Sequence, residues 1–122
     1  MSLDHPSIET VELTIEEAQK KVDRADSLRK LHGNREFKRI ILEGYFEAEA
    51  NRLVGCIGNS APTLKAQRDE MLLELQAISK LKEFFGSILR EGREMEQSIR
   101  EHNEMLAELR AEDALEMEEE GV

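Results

Sequence analysis

Chemistry in this sequence would have to be built from one cysteine, three histidines and a large surplus of carboxylates. A catalytic cysteine needs a base beside it that lowers its pKa, most often histidine. Cys56 has no such partner by sequence pattern: His5 lies in the opening residues, His32 stands before a glycine, and His102 is far along the last segment. A small packing thiol is the expected role. Tyr45 and Phe46 are read in the same way, as core anchors on one helix face with the tyrosine hydroxyl at the edge.

The carboxylates offer a second route. Glu43/Glu47 and Glu70/Glu74 fall at helical spacing. Ferritin-like bundles that bind two metals pair Glu with a His three residues on, and no Glu-x-x-His occurs. Helical nucleotide pyrophosphatases hold magnesium with E-x-x-E and E-x-x-D sets. E-x-x-E occurs at Glu91/Glu94 and Glu101/Glu104, without an E-x-x-D partner on the same helix. In so acidic a chain such matches arise by chance, and solvated faces laced with ion pairs are expected. The sequence has no glycine-rich phosphate loop, nucleophile elbow or Cys/His metal spacing. The expectation is a non-enzymatic chain with no metal and no cofactor, with pyrophosphatase as third choice.

One basic cluster stands out: Arg29, Lys30, His32, Arg35, Lys38 and Arg39. It is a candidate contact for phosphate or for an acidic partner. No aromatic platform or nucleic-acid motif accompanies it. The formal net charge of −10 opposes nonspecific binding to nucleic acid or anionic membrane.

The elements that would position these residues are helices. At 122 residues, 36 % charged and 4 % aromatic, the chain is that of one domain of long amphipathic helices. The opening residues lack a basic stretch followed by an apolar run, so no secretion signal is expected. No apolar run is long enough for a membrane span. Residues 1–13 read as an extended arm that Ile8, Val11 and Leu13 can dock on a neighbour. Thr14 and Glu17 have capping-box spacing, and Ile15, Ala18, Val22, Ala25 and Leu28 give the first helix one apolar stripe. That helix should stop at Gly33, a residue suited to the left-handed backbone.

Asn34 can cap the second helix, whose broad face holds Phe37, Ile40, Ile41, Tyr45, Phe46, Ala48, Leu53, Val54 and Ile57. Gly44, within that face, offers close approach to another helix. After the turn cluster GNSAP, Ser60 or Thr63 should open a third helix that runs to about Glu116, roughly 80 Å. Its first half is wide: Met71, Leu72, Leu75, Ile78, Leu81, Phe84, Phe85, Ile88 and Leu89. A narrower seam follows through Phe85, Ile88, Gly92, Met95, Ile99, His102, Leu106 and Leu109, with a kink or break expected at Gly92. A narrow seam is a coiled-coil signature, with His102 as a register-setting polar position. The prediction is an all-α three-helix bundle over residues 14–111, with a long third helix continuing into that seam. An acidic, frayed tail over 112–122 completes it. Helices of roughly 18 and 23 residues would not cover a third of more than 50, so Ile88, Met95, Ile99, Leu106 and Leu109 are expected to recruit a second copy or a partner protein's helix.

The strings EFKRIILEGYFEAEANRLVG and LQAISKLKEFFGSIL, with the Glu-rich end, resemble a group of small helical proteins encoded by tailed bacteriophages. The likeness covers about residues 14–112 and rests on packing motifs. It implies a minor structural or scaffolding-like part in virion assembly, placed in the host cytoplasm during infection or in the virion. Its partner would be itself or another phage structural protein. The alternative is an inhibitor that binds a host protein through an acidic surface.

Overall fold

The computed structural model describes residues 7–59 and 65–121. Three helices make up the fold: α1 over Ile8–His32, α2 over 35–57, and α3 over Lys65–Glu120. The all-α expectation holds, with the long third helix packing on the first. No strand occurs among the described residues, and no helix there is long and apolar enough to cross a membrane.

The first helix starts earlier than the Thr14–Glu17 pattern suggests. The Ser7 hydroxyl accepts the Thr10 amide at 3.1 Å, capping the helix ahead of Ile8. Residues 8–13 are therefore helix, not an extended arm, and Val11 is buried. Thr14 instead donates back to the Thr10 carbonyl at 3.0 Å from within the helix. His5 lies outside the described residues, as do Ser60 and Thr63. The α1–α2 turn needs no left-handed glycine, because no described glycine has positive φ. The Gly33 amide reaches the Arg29 and Lys30 carbonyls, and the Asn34 amide reaches the Leu31 carbonyl. The Asn34 side chain then accepts the Phe37 amide at 2.9 Å and caps α2, as its sequence position indicates.

Helix α2 changes winding along its length. Arg35–Phe37 is α-helical, Lys38–Glu49 is π-wound and Ala50–Ile57 is α-helical again. A π turn closes with a hydrogen bond reaching back five residues. The inward face thus recurs every four to five positions between Phe37 and Ala50. This brings Leu42 onto the core and leaves Ile40 and Ala48 in solvent. Gly44 is also exposed. A Cβ there would meet the Arg39 carbonyl of its own helix at 3.0 Å, so Gly44 serves the winding rather than a second helix.

The described residues form two compact units. One joins α1 up to Asp26 with α3 from Arg90 onward. The segments run antiparallel, as the ion pairs Glu12–Arg110 and Lys21–Glu91 require. Val11, Ala18, Val22 and Ala25 are buried in this unit together with Gly92 and Leu106. Gly92 does not break α3. A Cβ on it would stand 2.3 Å from the Cβ of Ala25, so the missing side chain admits the opposing helix. From Glu112 onward every described residue is exposed, and the helix continues to Glu120.

The second unit, Ser27–Leu89, has Phe46, Leu53 and Ile78 at its centre. Around them pack Ile41, Leu42, Tyr45, Ala50, Met71, Leu75, Leu81 and Phe85. The Phe85 ring meets those of His32, Phe37 and Phe46 at centroid distances of 5.6, 6.1 and 5.7 Å. Fully burying an aliphatic or aromatic side chain contributes about 1.5–3 kcal/mol, so these residues hold the α2–α3 hairpin closed.

Candidate functional site

The residues with chemical potential are largely occupied by structure. Cys56 is half-buried, with the Arg52 guanidinium 3.9 Å from its sulfur. That guanidinium is itself engaged by Glu49, at 3.0 Å from Nε and 2.5 Å from Nη2. The two-pronged hydrogen bond from Arg52 is the main reason the Glu49 carboxyl titrates below its ordinary value, and the same bond raises the arginine. Tyr45, Glu49, Arg52, Leu53, Glu74, Ala77 and Ile78 line a shallow groove between α2 and α3. Two of its polar groups, Glu49 and Arg52, are already paired with one another, and Tyr45 packs on Phe46 at a ring distance of 6.0 Å.

The acidic pairs do not converge. Glu91 faces α1, bonded to Lys21 at 2.8 Å and Arg24 at 3.1 Å. The hydrogen bond from Lys21, with Arg24 adding its charge, lowers the Glu91 carboxyl. Glu101 accepts from Gln97 on its own helix at 3.1 Å, while Glu94 and Glu104 are exposed. Among the described residues no three His, Cys, Asp or Glu side chains come close enough to hold a metal ion.

The seam of α3 is covered in part by the chain itself. Phe85 belongs to the aromatic cluster of the second unit, and Ile88 and Leu106 are each only 6 % exposed. Met95, Ile99, His102 and Leu109 are half-buried. The expected uncovered seam is thus corrected: the extra turn and a half that α1 gains at its start lies along it. His102 does not face a polar partner across the seam. Its Nδ1 lies 2.7 Å from the Ser98 carbonyl one turn back, and a carbonyl can only accept, so Nδ1 carries the proton.

The basic cluster splits. His32 turns inward, stacked on Phe37 at 5.8 Å with its Nε2 buried and unpartnered. Arg29, Lys30, Arg35, Lys38 and Arg39 are exposed, and Arg39 bonds Glu36 at 2.7 Å. What sequence reasoning missed is the apolar surface of the second unit. Ile40, Val54, Leu73 and Phe84 are each more than half exposed, and Leu72 is 44 % exposed. Of these, Ile40, Val54, Leu72 and Phe84 read as core positions in the sequence. The π winding explains Ile40. At Leu72 and Phe84 the wide stripe of α3 exceeds what α2 covers.

No protein-family model, curated protein or solved structure matches the chain.

Proposed function

We propose that this chain is a non-enzymatic interaction protein that works through helix surfaces, as a minor structural or scaffolding-like component in the assembly of a tailed-phage particle. The observation that carries the interaction role is the exposure of Ile40, Val54, Leu72, Leu73 and Phe84 on the second unit. Large apolar side chains left in water add little to the monomer and offer surface that a partner helix can bury. The engagement of Glu49, Arg52 and Glu91 in ion pairs fits this role better than catalysis. The phage setting rests on the likeness of residues 14–112 to small helical phage proteins. Mass spectrometry of purified virions and of assembly intermediates tests the reading, paired with the native mass of the isolated protein. Detection at fixed stoichiometry supports it, and absence from both preparations overturns the assembly role.

A further inference from the structure

We propose that the acidic end of α3 docks on the basic α1–α2 junction of a second copy of this chain. The junction spans residues 29–39, with five basic side chains against a single acidic one, Glu36. Glu36 is taken by Arg39. Among the described residues no ion pair engages Lys30, Arg35 or Lys38, and all three are exposed. Leu31 and Ile40 stand exposed beside them in the chain. The segment is therefore cationic and carries exposed apolar side chains, on a molecule whose net charge is −10.

The chain carries the complementary element. Residues 112–120 hold six acidic side chains and no basic one, with Leu115 and Met117 exposed among them. This stretch is helical to Glu120 although its charges oppose that state. Carboxylates at the C-terminal end of a helix face the negative pole of its dipole. Glu112–Glu116 and Glu116–Glu120 place like charges one turn apart. A cationic surface relieves both penalties, and no basic residue in the last turn does so from within the helix. Single exposed ion pairs contribute little, but several carboxylates meeting several cations, with apolar side chains buried between them, act as one site. A symmetric pair of copies exchanging their ends would close the assembly.

This inference rests on the reading of the chain as an interaction protein and names its partner; the virion measurement tests that reading separately. The test is sedimentation velocity on the full chain, with circular dichroism to confirm the fold. The wild type is expected to associate below about 100 µM at low salt. Its apparent dissociation constant should rise at least about tenfold between 0.05 and 0.5 M salt. Lys30→Glu with Arg35→Glu and Lys38→Glu should be monomeric, and so should Glu116→Lys with Glu119→Lys and Glu120→Lys. Mixing the two variants should restore a complex, because each then supplies the charge the other lost. If the junction variant loses helix content, deletion of 113–122, exposed at every described residue, carries the test in its place. A wild type that stays monomeric at low salt overturns the proposal. So does association that survives both reversals or the deletion, or a mixture that stays monomeric.

Discussion

Gly92 and Ala25 meet so closely that a methyl group on the glycine would stand 2.3 Å from the methyl of the alanine. In an exposed helix interior, Gly→Ala stabilises by about 0.5–1 kcal/mol through backbone entropy. At position 92 the same change forces α1 away from α3. Gly92→Ala should therefore lower stability, by about 1–3 kcal/mol as an overpacking substitution. Gly86→Ala and Gly55→Ala, where nothing lies within 4 Å of the added carbon, should raise it by about 0.5–1 kcal/mol. Urea melts of the three variants compare the signs directly. A stabilising Gly92→Ala would mean that the two helices do not pack at this point.

Phe46 is buried at the centre of the second unit and touches the rings of Tyr45 and Phe85. Phe46→Ala should cost about 3–5 kcal/mol, as large-to-small core substitutions do. A thermal melt unchanged from the wild type would contradict this packing.

Leu106 is buried against α1 rather than offered to a second copy. Leu106→Asp should destabilise the chain itself by more than about 3 kcal/mol, since it places an unpaired carboxylate in an apolar site. Loss of helix content in dilute protein is the expected readout. A fully folded variant that merely failed to associate would restore the idea of an intermolecular seam.

His32 presents a buried Nε2 with no partner between Phe37 and Phe85. An unsatisfied buried polar atom costs about 1–3 kcal/mol. His32→Phe keeps the ring and removes that atom, so it should leave stability unchanged or raise it by up to about 1 kcal/mol. A marked drop in melting temperature would show that the imidazole makes a bond of its own.

Glu91 gives the fold a pH dependence of definite sign. Its carboxyl titrates lower folded than unfolded, because Lys21 bonds the charged form and Arg24 stands beside it. The stabilisation is complete above the ordinary glutamate range and disappears as pH falls through the lowered folded value. Glu91→Gln should therefore melt below the wild type at pH 7, with the gap closing in acid. Equal melting temperatures at pH 7 would show that the Lys21–Glu91–Arg24 cluster adds nothing net.

The three helices were legible because their apolar residues recur at three and four positions, and Asn34 was legible as a cap because its side chain can do little else at a helix start. The misreadings have separate physical origins. Thr14 and Glu17 match a capping box, but that spacing also occurs inside helices, and Ser7 supplied the actual cap. Starting α1 at Ile8 lengthens it to 25 residues and lays Val11 and Glu12 along α3. The added length buries Leu106 and half-buries Met95, Ile99 and Leu109 within the chain itself. Gly92 looked like a break because propensity counts only the backbone and not the helix opposite. The exposure of Ile40 was hidden because periodicity arguments assume α winding throughout. For the candidate site, the basic residues were visible as a cluster, while the inward turn of His32 depends on Phe85, distant in sequence and brought in only by folding.

The π-wound stretch of α2 also bears on how the chain tolerates changes of length. In ordinary helix, losing one residue turns everything beyond it by about 100°. In α1 such a loss would swing Val11 and Ala18 out of line with Val22 and Ala25. Within Lys38–Glu49 each turn already holds a residue in excess. A one-residue deletion there can relax a wide turn to normal winding and keep Phe37 and Leu53 facing the same core. Natural one-residue deletions should therefore collect between residues 38 and 49 and be scarce along α1, so this segment is where lineages of the protein can shorten without refolding it.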